Sequence, residues 1–168
     1  MGPKIRSATL QDVQNILLLG RQTYKEHFGE LWNNIDVFLD ADFTQEQVIQ
    51  DINSPEKHRY LLAFQDQVLM GFVKLNLNTL LAPHVDSGIE LQKIYLRKSG
   101  TGQRLGAALM ERVLQLAAEL ESPYIWLDVL KSNQSAQRFY QRYQFEIIDE
   151  IPYATDRYEI GMYVMLKS

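Results

Sequence analysis

A chain of 168 residues that is 46% hydrophobic and 23% charged has the length and balance of one globular domain with a real core. With no cysteine it can hold no disulfide, thiolate metal site or cysteine nucleophile, and His27, His58 and His84 lack the close spacing of metal ligands. The net charge of −4 disfavours a nucleic-acid surface and suits a cationic substrate.

Residues 1–6 lack the apolar stretch of a signal peptide, and no apolar run approaches the roughly 18 residues of a membrane span, so a cytoplasmic location is expected. No repeat or linker divides the chain, and residues 1–168 are read as a single domain. A short strand is predicted at 5–8. Thr9, with Asp12 three residues on, forms a helix-start box, and Val13, Ile16, Leu17 and Gly20 continue at helical spacing. Residues 27–32 read as loop, which leaves His27 as a surface or loop histidine. Helices follow at 35–39 and 44–52, the second capped by Thr44, and Asn53-Ser54-Pro55 stops the pattern.

Strands at 59–64 and 68–77 flank the polar turn Gln65-Asp66-Gln67, and a third runs over 89–96 after a loop at Pro83. A long helix over about 102–120 carries Leu105, Leu109, Val113, Leu116 and Leu120 on one face. A strand at 124–130, a helix at 133–143 and strands at 145–151 and 157–166 complete the chain. This order predicts an α/β fold, a mostly antiparallel mixed sheet with helices on both faces. The exposed edges of such a sheet permit a homodimer without requiring one.

The segment 89–106 carries the chemistry. Ile89 and Leu91 share one parity while Ile94 and Leu96 share the other, so the alternation breaks at Gln92-Lys93. An inserted residue in the ladder would do this and would free backbone N–H groups for a ligand carbonyl; an edge strand with one side chain turned outward would do it too. Arg97 to Gly106 then reads RKSGTGQRLG at the mouth of the long helix. Helix N-terminus, glycines and basic side chains make an anion site, or else a flexible loop with solvated charges. Gly106, inside the first turns, points to close approach of a ligand or a strand. The spacing G-x-G-x-x-x-G is one residue longer than a dinucleotide fingerprint, and neither a P-loop nor a G-x-S-x-G elbow is present.

Asn133-Gln134-Ser135-Ala136-Gln137-Arg138-Phe139-Tyr140-Gln141-Arg142-Tyr143-Gln144-Phe145 completes a pattern that resembles the GCN5-related N-acetyltransferase (GNAT) superfamily. The family's N-x-x-A-x-x-F-Y-x-x-x-G-F signature is matched except that Gln144 stands for the glycine. The acetyl-CoA signature Q/R-x-x-G-x-G/A falls on Thr101-Gly102-Gln103-Arg104-Leu105-Gly106, where Thr101 replaces Gln/Arg and Arg104 replaces the first glycine. Thr23-Tyr24 with Phe28, Phe72-Val73-Lys74-Leu75-Asn76, and Glu90-Leu91-Gln92-Lys93-Ile94-Tyr95 are similar to bacterial spermidine/spermine acetyltransferases.

The resemblance implies a GNAT fold, acetyl-CoA as co-substrate without a metal, and acetyl transfer to a small primary amine, a polyamine among the candidates. It implies Tyr140 as the acid that protonates the coenzyme A sulfur; packing alone would make Tyr140 a core aromatic with Ala136, Phe139 and Tyr143. Asn133 would bond the pantetheine arm or cap its helix, or both. Glu90 is the candidate base, its alternative an exposed strand glutamate. Backbone groups of Ile94, Tyr95 and Leu96 would hold the thioester and pantetheine, and Thr101, Gly102, Gln103, Arg104, Leu105 and Gly106 the pyrophosphate. Asp36, Asp40, Asp42 and Glu46 form an acidic mouth for a polycation or a solvated face. A coenzyme-binding sensor without catalysis and a protein or peptide acetyltransferase are the competing functions.

Overall fold

The computed structural model describes residues 2–99 and 104–168. Its strands are β1 (Lys4–Ser7), β2 (His58–Gln65), β3 (Val68–Leu81), β4 (Val85–Leu96), β5 (Ile125–Leu130), β6 (Glu146–Ile151) and β7 (Met162–Lys167). Its α-helices are α1 (Val13–Phe28), α2 (Ile35–Asp42), α3 (Gln45–Ile52), α4 (Leu105–Glu119) and α5 (Gln134–Arg142). The strands form one sheet in the order β1-β2-β3-β4-β5-β7-β6. Every neighbouring pair is antiparallel except β4 and β5, which run parallel. A parallel pair needs a crossover, and α4 supplies it.

Alternation along the strands divides the core in two. On one face Leu61, Val73, Leu75, Ile89, Leu91, Ile125, Leu127 and Met165 pack against Leu105, Leu109, Val113 and Leu116 of α4 and Tyr140 of α5. On the other, Leu62 and Phe72 meet Val13, Ile16 and Leu19 of α1 and Val48 of α3, with Phe43 between them. Helices on both faces are what the pattern predicted. Local signals hold too. The Thr9 N–H donates to the Asp12 carboxylate at 2.8 Å, and Thr44 and Asn133 accept from the first-turn N–H groups of α3 and α5.

Several boundaries differ from the sequence reading: α2, β3 and β4 are each three or four residues longer, and three further differences bear on the site. Residues 27–28 belong to α1, because Tyr24 and Phe28 extend its apolar stripe by one more turn, their rings 5.0 Å apart. Leu120 ends α4 as its cap and is exposed rather than on the core face. The last strand begins at Met162, not at 157: Thr155 Oγ accepts the N–H groups of Arg157 and Tyr158, and Gly161 turns at φ +81°. Residues 152–161 instead reach across to α2. Asp156 accepts the N–H groups of Asn33 and Asn34 at 2.7 and 2.8 Å, and Thr155 donates to the Leu31 carbonyl.

Candidate active site

The break in parity at Gln92-Lys93 is a bulge. Lys74 pairs with Lys93 and Leu75 with Leu91, so Gln92 is the extra residue. Below it β4 touches β5 only at Ile89–Ile125 and Glu90–Trp126, and beyond it no further β4–β5 pair forms among the described residues. The Arg97 N–H donates to the Met70 carbonyl, so main-chain alternation turns Tyr95 toward β3 and directs the amides of Ile94 and Leu96 into the opening. On that side His27 Nε2–H already donates to the Leu96 carbonyl at 2.9 Å.

The opening is the waist of a cavity of about 810 Å³ that runs from α1 and α2 to the start of α4 and α5. Arg104, Gly106, Asn133, Tyr140, Ile94, Tyr95 and Leu96 all line it. Leu105, predicted with them, is instead fully buried in the core. Thr101, Gly102 and Gln103 lie outside the described residues. A Cβ built on Gly106 would stand 3.3 Å from Leu96 Cδ1 and 3.4 Å from Phe139, so the glycine lets α4 approach β4 and α5 closely. Asn133 caps α5 through Oδ1, and its amide nitrogen keeps donors for the cavity. Tyr140 is 6% exposed, and burial pushes its phenol above the ordinary range, which keeps it protonated.

Glu90 and Asp128 stand on adjacent strands and the same face, since Glu90 pairs with Trp126, two residues before Asp128. Asn76 Nδ2 donates to Glu90 Oε1 at 2.9 Å and to Gln92 Oε1 at 3.0 Å, while Asn76 Oδ1 accepts from His58 Nδ1 at 2.7 Å. Behind His58 lies Asp51, only 1% exposed, paired with Lys74 Nζ at 2.8 Å and bonded by the Tyr60 hydroxyl. Glu90 is thereby held as an acceptor. Asp128, not Glu90, lines the cavity. Asp128 is exposed to that space, and partial desolvation within the cavity, with the charge of Glu90 second, raises it to about 6. Sequence reasoning passed over Asp128; its signal was a lone charge in the otherwise apolar strand IWLDVL.

The half of the cavity toward α1 is aromatic. Tyr24, Phe28, Phe38, Tyr95 and Tyr153 line it, with Tyr24 5.3 Å from Phe38 and 6.0 Å from Tyr95 between ring centroids. Lys93 Nζ, on a side chain 9% exposed, bonds Asp42 at 3.1 Å. The expected acidic mouth is compensated from within. Asp36 pairs with Lys25 at 2.6 Å, Asp40 with Arg21 at 2.8 Å, and Asp42 with Lys93; only Asp42 of that run reaches the cavity.

The sequence pattern of the Acetyltransferase (GNAT) family matches residues 21–145. The chain belongs to the GNAT family. It is 29% identical over 142 residues to an uncharacterized N-acetyltransferase in the pepI 3′ region of Lactobacillus delbrueckii subsp. lactis, covering 83% of this chain and 82% of that one. An uncharacterized N-acetyltransferase of Mycobacterium tuberculosis is 30% identical over 134 residues, 80% of this chain and 81% of the other. Among solved structures, the PaiA N-acetyltransferase from Thermoplasma acidophilum, in complex with coenzyme A, superposes with a TM-score of 0.81 at 21% identity. The overlap covers 100% of this chain and 99% of that one, and it is a likeness of fold.

The chain is a GNAT N-acetyltransferase, and acetyl-CoA is its co-substrate. The residues present fit that molecule. Arg104, Arg138 and Arg142 put positive charge at the α4–α5 end of the cavity, while the amides of the splay and Asn133 offer donors along it. The structure also explains two of the three departures from the GNAT signatures, those at Arg104 and Gln144. Arg104 has φ +62° and Gln144 φ +70°, the left-handed conformation for which glycine carries no Cβ penalty. The signature glycines are therefore backbone requirements, and this chain meets them with strained residues that keep the same turn.

Proposed function

We propose that this GNAT enzyme transfers the acetyl group from acetyl-CoA to a primary amine by direct attack within a ternary complex. The observation that carries the reading is the convergence on one cavity of the splay between β4 and β5, the buried Tyr140 phenol and the raised Asp128 carboxyl. The ammonium of the acceptor gives its proton to Asp128, whose raised value makes it a better base than an ordinary carboxylate. Glu90, held by Asn76, supplies a neighbouring negative charge that adds to the effect of desolvation on Asp128. The neutral nitrogen attacks the thioester carbonyl, whose oxygen faces the amides of Ile94 and Leu96. As the carbon–sulfur bond breaks, Tyr140 protonates the departing sulfur and takes back a proton from the acylated nitrogen, so that the one proton released overall stays on Asp128. Nothing in this sequence of steps needs a nucleophile from the protein, which has no cysteine to give.

Polyamines enter as acceptors through the sequence resemblance; the carboxylates of α2 lend them no support, being paired with cations of the same chain. Peptide amines are the other acceptor class, and a sensor that binds acetyl-CoA without turnover is the reading from a different class. Thiol release from acetyl-CoA separates them. The wild-type protein should release thiol only with an amine present, and Tyr140→Phe should lower kcat by about 10²-fold while leaving the affinity for acetyl-CoA little changed. Unchanged kcat in Tyr140→Phe would remove the acid from the mechanism. Stabilisation by acetyl-CoA without thiol release from any amine or peptide would favour the sensor.

A further inference from the structure

We propose that the acceptor is a monoamine carried on an aromatic or similarly flat apolar body, its ring seated among Tyr24, Phe28, Phe38 and Tyr153 and its nitrogen directed at Asp128. The inference rests on the transfer reading above and narrows it to one substrate class.

The walls argue first. Phe28, Phe38, Tyr95 and Tyr153 are only partly buried, and the surface they leave open faces the cavity. Trp32 stacks behind Phe38 at 4.3 Å between centroids and 25° between planes, so the ring of Phe38 is backed and held. Of the hydroxyls on this side, that of Tyr24 accepts from Trp32 Nε1–H at 3.2 Å and lies against that of Tyr153. An apolar ring entering here displaces water from carbon surface and leaves few polar groups unpaired.

Charge argues second. Two carboxylates line the cavity, Asp42 and Asp128. Asp42 is held by Lys93 at 3.1 Å, while among the described residues Asp128 accepts no hydrogen bond and faces only the like charge of Glu90. One carboxylate is therefore uncompensated, and it matches one ammonium. A second ammonium on the same acceptor would lie among the aromatic rings, beside an Asp42 already paired with Lys93, and would find no free carboxylate in that half of the cavity. The single free carboxylate and the aromatic wall thus select together for a ring-bearing monoamine over a linear polycation.

Turnover of phenethylamine, ethylamine and spermidine by the full-length protein with acetyl-CoA tests this, read as kcat/KM from thiol release. Burying a phenyl ring should place phenethylamine above ethylamine by about thirtyfold or more, and spermidine should fall below phenethylamine. Phe38→Leu should raise KM for phenethylamine severalfold and shrink its advantage over ethylamine; if that variant does not fold, Tyr153→Leu in the 152–161 loop gives the same readout. Spermidine equalling or exceeding phenethylamine overturns the substrate class while leaving acetyl transfer standing, as does equal turnover of phenethylamine and ethylamine. No thiol release with any amine, while acetyl-CoA still raises the melting temperature, overturns the transfer reading and the class with it.

Discussion

Two residues show how a sequence can break a signature and keep its geometry. Arg104 and Gln144 stand at φ +62° and +70°, one opening α4 and the other closing α5, where a side chain costs about 1 kcal/mol against glycine. Each of Arg104→Gly and Gln144→Gly should therefore raise the melting temperature by about 2–4 °C, measured without ligand. Only Arg104→Gly should also weaken acetyl-CoA binding, because Arg104 lines the cavity and Gln144 does not. The substitutions themselves were visible in the sequence; the left-handed turns that make them costly were not, since nothing in Arg or Gln announces positive φ.

Asp128 gives a second prediction at this scale, with opposite signs for activity and stability. Its carboxyl is raised to about 6, so it is ionised and able to act as a base only above that value. The rate kcat/KM should fall about tenfold per unit as pH drops below about 6, and Asp128→Asn should abolish that limb along with most of the rate. For stability, a raised folded value favours the protonated form. That contribution is present below the ordinary carboxylate value, near 3.9, and is lost as pH rises through about 6. Asp128→Asn should consequently raise the melting temperature at pH 8. An unchanged acid limb in the variant would assign the base elsewhere.

At the scale of elements, the bulge in β4 was legible because side-chain period two leaves a visible slip when one residue is added, as between Leu91 and Ile94. The loop 152–161 was not. Residues 157–161 were read as the start of the last strand, and the contacts that hold the loop lie more than 120 positions away in sequence, at Glu30, Leu31, Asn33 and Asn34. This clasp brings Tyr153 to the cavity opposite Phe38 of α2. Asp156→Ala removes the acceptor for two backbone N–H groups and should raise KM for the amine several-fold, with KM for acetyl-CoA unchanged, since α4 and α5 are untouched. Equal rises in both would show that the clasp supports the whole cavity rather than its acceptor half.

For the whole molecule, the order of elements and the two-faced core followed from hydrophobic period alone, as Leu105, Leu109, Val113 and Leu116 on α4 illustrate. The lining proposed for the coenzyme was readable because Ile94, Tyr95, Leu96, Arg104, Gly106, Asn133 and Tyr140 fall in two short stretches of sequence. The acceptor half was not, because Tyr24, Phe38, Lys93, Asp128 and Tyr153 come from four elements and one loop and meet only once the sheet has formed. Joining the two halves through one splay implies that both substrates are bound together before any bond changes. Initial rates measured with acetyl-CoA and amine varied against each other test this most directly: the double-reciprocal lines should intersect, whereas parallel lines would demonstrate an acetylated protein and contradict direct transfer.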